Sequence, residues 1–112
     1  MDELTIDRAR GFLQRADLLL DSSSAIDKLD LHEALNKEWQ GWHCDDRKAV
    51  GRALEQHNNY VKKIMEPFPD LGQPTQITFD YKDGRIPHLT IDRPNNSNAG
   101  RIRIVDPFKG CG

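Results

Sequence analysis

No long apolar run occurs in the chain. Leu18-Leu19-Leu20 is far too short for a membrane span or a signal-peptide core, and the N-terminal Met-Asp-Glu is acidic where a signal peptide is basic. A soluble, cytoplasmic protein with no membrane partner is expected, although a toxin domain excised from a secreted chain reads the same way. Cysteine is scarce: Cys44 and Cys111 are the two present, with no CxxC pair. That excludes a disulfide-dense scaffold and a zinc knuckle. Both thiols are expected free and reduced, with a Cys44–Cys111 bridge as the alternative. His32, His43 and His57 match no ligand spacing with them, so no metal site is expected. A glycine-rich phosphate loop, a nucleotide-binding fingerprint and a Ser/His/Asp pattern are all missing, and no cofactor is expected. Neither sign of charge dominates: 16 Lys+Arg face 18 Asp+Glu, for a net −2.

What remains is an ordinary globular composition, 37% hydrophobic and 30% charged over 112 residues. It suits one domain, 1–112, with a helical part over 1–66, a linker over 67–75 and a sheet over 76–106. Charge is spread unevenly. Residues 1–46 carry 11 acids and 5 bases; residues 47–112 carry 7 acids and 11 bases. Such polarity can steer a partner.

Three helices are expected. Over 5–21, with Thr5 as N-cap, the apolar stripe is Ile6, Ala9, Leu13, Ala16 and Leu20, flanked by Phe12 and Leu19. Over 25–40, Ser24 can cap the helix, with Asp27 at the capping-box position. Its apolar set is Ile26, Leu29, Leu31, Leu35 and Trp39. Over 46–65, capped by Asp45 or Asp46, the seam is Val50, Leu54, His57, Val61 and Ile64. Gly51 within it implies close approach of another element. Pro67, Pro69, Gly72 and Pro74 then stop the helix.

Residues 76–106 read as three strands. Phe79 and Tyr81 alternate with Thr78 and Asp80, and Leu89 and Ile91 alternate with Thr90 and Asp92. A three-residue loop Lys82-Asp83-Gly84 with left-handed Gly84 pairs Thr78 with His88 and Ile77 with Leu89. This places Ile77, Phe79, Tyr81, Leu89 and Ile91 on one face. A third strand, 101–105, turns Ile102 and Ile104 to the core and Arg101, Arg103 and Val105 outward. Helices followed by strands predict an α+β fold, about three N-terminal helices packed on one face of a three-stranded antiparallel sheet.

The uncovered face of that sheet would carry Thr78, Asp80, His88, Thr90, Asp92, Arg101 and Arg103. A sheet covered on one side shows polar residues on the other in any case. These side chains nevertheless suit a phosphodiester, with His88 as acid or base and Arg101 and Arg103 offsetting charge on an oxyanion. The glycine-turn hairpin, followed by a polar loop into Gly100-Arg101-Ile102, resembles the C-terminal layout of small toxin ribonucleases such as the colicin D catalytic domain. The resemblance spans roughly a third of the chain and implies an α+β ribonuclease; it lends no residue a role.

The absence of a catalytic motif favours a small non-enzymatic protein of the inhibitor, immunity or accessory-subunit type, whose partner is another protein. Its binding residues would be Thr78, Asp80, Thr90 and Asp92 on the sheet and an exposed Trp42. The alternative is a metal-independent toxin-type ribonuclease, with nucleic acid as partner. The third reading is a winged-helix DNA binder using Lys48, Arg52, Asn59, Lys62 and Lys63; the net charge of −2 counts against it.

Overall fold

The structure is a computed structural model, described here over residues 3–65, 67, 75–81, 86–93 and 100–111. Helices α1 (Glu3–Asp21), α2 (Ala25–Gly41) and α3 (Cys44–Met65) precede strands β1 (Gln76–Asp80), β2 (His88–Asp92) and β3 (Arg101–Val105). The strands form one antiparallel sheet in the order β1-β2-β3. Helix α3 lies against β1, and α1 packs on both α3 and β3. The α+β architecture is therefore the expected one. Most of the linker 67–75, the turn at Gly84 and the loop 94–99 lie outside the described residues.

The sheet register differs from expectation by two residues. Ile77 stands opposite Ile91, Thr78 opposite Thr90, Phe79 opposite Leu89 and Asp80 opposite His88. Side chains alternate with a period of two, so this slip leaves the face of every strand residue unchanged. The expected register would set Phe79 opposite Pro87 and Ile91 opposite Thr75, whereas the observed one gives each an apolar partner across the sheet. Pro87 faces β3, where its carbonyl accepts from the Asp106 amide at 2.7 Å, and β2 begins at His88. Continuous apolar rows result: Ile77–Ile91–Ile102 and Phe79–Leu89–Ile104.

Ile77, Leu89, Ile91, Ile102 and Ile104 are buried with Phe12, Ala16, Leu35, Trp39, Val50 and Leu54. Gly51 behaves as expected. A Cβ there would sit 3.2 Å from Cζ of Phe108 and 3.6 Å from Cζ of Phe79, so its absence lets both rings approach α3.

Both sheet edges are closed by helix side chains. At β1, Asn58 Oδ1 accepts from the Ile77 amide at 3.1 Å. At β3, His32 Nε2 lies 3.0 Å from the Arg103 carbonyl and 3.3 Å from its amide, and Asn36 donates to the same carbonyl. Gln40 donates to the Asp106 carbonyl one helical turn on. His32, Asn36 and Gln40 recur every four residues, so one stripe of α2 lies along the strand edge and blocks edge-to-edge pairing.

Several helix details depart from the sequence reading. Helix α1 already includes Glu3, so Thr5 is a buried helical residue and not an N-cap. Ser24 caps α2 as expected, accepting from the Asp27 amide at 3.3 Å. Helix α3 starts at Cys44, which puts Asp45 and Asp46 in its first turn, where the helix dipole favours them. Ile26 and Leu29 are 73% and 71% exposed, because only the Leu35 and Trp39 end of the α2 stripe reaches the core. On α3, Leu54 is buried as expected, but Val61 is half-buried, His57 is exposed and Ile64 is 46% exposed. The buried face of α3 runs through Arg47, Val50, Gly51, Leu54 and Asn58.

The cysteines are bonded, not free. Cys44 and Cys111 form a disulfide with Cα atoms 5.4 Å apart, a normal spacing for one. The C-terminal turn is held there by two buried donors. Trp39 Nε1 donates to the Pro107 carbonyl at 2.6 Å, and Arg47 Nη1 donates to the carbonyls of Pro107 at 3.2 Å and Lys109 at 3.1 Å.

Candidate functional site

With helices on one side, the other face of the sheet is left to polar side chains. Their rows follow from the register: Thr78–Thr90–Arg103, Asp80–His88–Val105 and Gln76–Asp92–Arg101. Directly opposed residues in such a ladder bring their Cβ atoms to about 5 Å, and diagonal neighbours lie within reach of long side chains. Asp80 therefore flanks His88, and Arg103 stands diagonal to it.

Five of the expected residues share one hollow. Asp80, His88, Thr90, Arg101 and Arg103, together with Ile86, line a depression of about 230 Å³. His88, Asp80 and Thr90 are half-buried in it; Arg101 and Arg103 are exposed at its rim. Arg101 Nε lies 3.5 Å from Asp92 Oδ2, so Asp92 orients an arginine from outside the hollow. Thr78 is exposed on the same face but does not line it. Trp42 is elsewhere. Its ring packs on Phe12 and Trp39, with centroids 5.9 and 5.5 Å away, and its carbonyl accepts from Arg47 Nε at 3.1 Å.

Rigidity comes from residues that sequence reasoning did not single out. His32 and Asn36 hold the Arg103 backbone from α2, fixing the strand that presents both arginines. Arg93, just past β2, pairs with Asp21 and with Asp17, the latter at 3.3 Å, and also donates to Thr75 at 3.3 Å. Its hydrogen bond holds the Asp21 carboxyl below the usual aspartate range. The four-residue spacing of His32, Asn36 and Gln40 is visible in the sequence, but the strand edge it serves is not.

A second concavity lies at the end of the sheet, on the helix side. Lys48, Gly51, Arg52, Glu55, Phe79, Tyr81 and Phe108 line a groove of about 400 Å³. Burial raises the Tyr81 phenol to about 12, with the Glu55 charge adding to the effect.

Among the described residues no three of His, Cys, Asp and Glu cluster to hold a metal ion, and no helix is long and apolar enough to cross a membrane. Comparison with protein families, with characterised proteins and with solved structures finds no match to this chain.

Proposed function

We propose that the open face of the sheet binds a phosphodiester and that the protein is a ribonuclease of the bacterial toxin type. One observation carries this reading above partner binding: His88, Arg101 and Arg103 converge on one open hollow with Thr90 and Asp80. An imidazole and two guanidiniums at one concavity supply proton transfer and charge stabilisation. Arginine forks grip the non-bridging oxygens of a phosphate. His88 takes the proton of a ribose 2′-hydroxyl, whose oxygen attacks the adjacent phosphorus. The bond from phosphorus to the 5′ oxygen breaks, and that oxygen takes a proton from water at the open face. His88 then returns its proton to solvent. Asp80, facing His88 across the strands, orients the ring.

The products are a 2′,3′-cyclic phosphate and a 5′-hydroxyl. Incubation of single-stranded RNA with the pure protein, followed by end-group analysis, tests the proposal. Those two ends are expected. A 3′-hydroxyl with a 5′-phosphate, or intact RNA, would reject it.

Binding of a protein partner is the second reading, supported by the exposed Ile26 and Leu29 on α2, an apolar surface of the kind that marks interfaces. Lys48, Arg52, Asn59, Lys62 and Lys63 are exposed on α3 and support the winged-helix reading, but of the five Lys48 and Arg52 alone line the groove beside Tyr81. The cytoplasm is the expected site of action. The Cys44–Cys111 bond favours a history in an oxidising compartment, as for an exported toxin domain.

A further inference from the structure

Three aromatic rings near the end of β1 lie near-parallel, their centroids at the corners of a triangle. Tyr81 lies 6.0 Å from Phe79, with an angle of 13° between planes, and 6.4 Å from Phe108, with an angle of 25°. Phe79 and Phe108 are themselves 6.2 Å apart at 13°. The two phenylalanines rest on the bare backbone of Gly51, and Tyr81, 50% exposed, stands at the mouth of the groove. Lys48 and Arg52, one turn apart on α3, bring two cations to its wall, and Arg52 Nε donates back to the Lys48 carbonyl at 3.4 Å.

We infer that this groove is a base-stacking subsite, in which Tyr81 takes an unpaired nucleobase of an RNA strand while Lys48 and Arg52 hold its phosphate. Flat aromatic faces beside cations are the means by which proteins bind single-stranded nucleic acid without reading sequence. Glu55 lines the same wall, where its carboxylate can accept from a base's exocyclic amino group. The inference rests on the ribonuclease reading for its ligand and adds a place for the nucleotide next to the cleaved one. Continuity supports it. A neighbouring hollow shares Lys48, Tyr81 and Phe108 with the groove and extends to Pro87, the residue before His88. Asp106 also lines that hollow, so the phosphates are expected on the Lys48 and Arg52 side. A strand bending around the end of the sheet then reaches the aromatic cluster on one face and His88 on the other.

Fluorescence anisotropy with a short labelled single-stranded oligoribonucleotide tests the subsite, using the His88→Ala protein so that the RNA stays intact. Tyr81→Ala in that background is expected to weaken binding about tenfold. An oligonucleotide with one abasic site, all its phosphates kept, should lose about as much against the Tyr81 protein and little more against Tyr81→Ala. Tyr81→Phe, which keeps the ring, should bind as Tyr81 does and shows that the fold tolerates change at this position. Equal affinity for intact and abasic RNA, or no binding at all, overturns the subsite. The parent reading fails separately. Base-dependent binding by a protein that cleaves no RNA leaves the subsite and removes the nuclease. Cleavage with an unchanged KM in Tyr81→Ala does the reverse.

Discussion

Arg47 on α3 donates from Nη1 to the carbonyl of Pro107, sixty residues further along the chain. The same guanidinium reaches Trp42, Gln40 and Lys109, and its residue is only 7% exposed. A buried cation here is balanced by carbonyl dipoles from two segments, 40–42 and 107–109. Arg47→Ala would remove the donor from the part-buried oxygens of Trp42, Gln40 and Lys109 and leave the buried Pro107 carbonyl to Trp39 alone; an acceptor left buried and unsatisfied costs about 1–3 kcal/mol. A loss of roughly 3 kcal/mol in chemical denaturation is expected, and Arg47→Lys should not restore it, since an ammonium cannot present the same fork. A loss under half of that would show that water replaces the side chain.

The Cys44–Cys111 bond closes a loop with a sequence separation of 67. Constraint of the unfolded chain over such a loop is worth up to about 4 kcal/mol. Reduction, or Cys111→Ser, should lower the denaturation midpoint by a corresponding amount, with the helical circular dichroism kept under native conditions. An unchanged midpoint would mean that Trp39 and Arg47 alone hold the C-terminal turn.

Leu54 is fully buried on the face of α3 that meets the core. Leu54→Ala should cost about 2–5 kcal/mol, the range for a cavity at a well-packed site. Ile64→Ala, at a position 46% exposed, should cost far less. Equal losses in equilibrium unfolding would place the core further along the helix.

These two residues also show what could be read in the sequence. The 3.6-residue period located α3 and its buried Leu54, but not the end of the buried stretch, because the same stripe continues through Val61 and Ile64. Asn58 interrupts the apolar pattern, because closing the edge of β1 requires a polar side chain there. The two-residue period sorted the sheet faces correctly and so assembled His88, Arg101 and Arg103 on one surface. It could not fix the pairing, since registers two residues apart give the same faces; the observed one is distinguished by the apolar rows it completes across three strands. The approach of Cys111 to Cys44 depends on tertiary bonds from Trp39 and Arg47, which leave no local mark in the sequence.

Tyr81 offers a pH test. Burial pushes its phenol up to about 12, above the ordinary tyrosine value of 10.0. A raised pKa means that the neutral phenol is favoured in the fold. Its contribution to stability is therefore fully present below 10.0 and is lost as pH rises through about 12. Near-ultraviolet titration should show an ionisation at about 12 that Tyr81→Phe removes. Ionisation of Tyr81 in the folded protein near 10.0 would contradict the partial burial of its phenol.

The hollow on the sheet is proposed to cleave RNA through His88. The most direct measurement compares the rates at which wild type and His88→Ala cleave one single-stranded RNA, with circular dichroism and thermal unfolding of both proteins alongside. Removal of the imidazole should slow cleavage by about 10²–10⁴-fold, the usual worth of general acid–base catalysis. The fold should persist, because His88 lies on the face away from the helices and its strand neighbours Leu89 and Ile91 carry the core. Cleavage by His88→Ala at the wild-type rate, or no cleavage by wild type, would rule out proton transfer by His88.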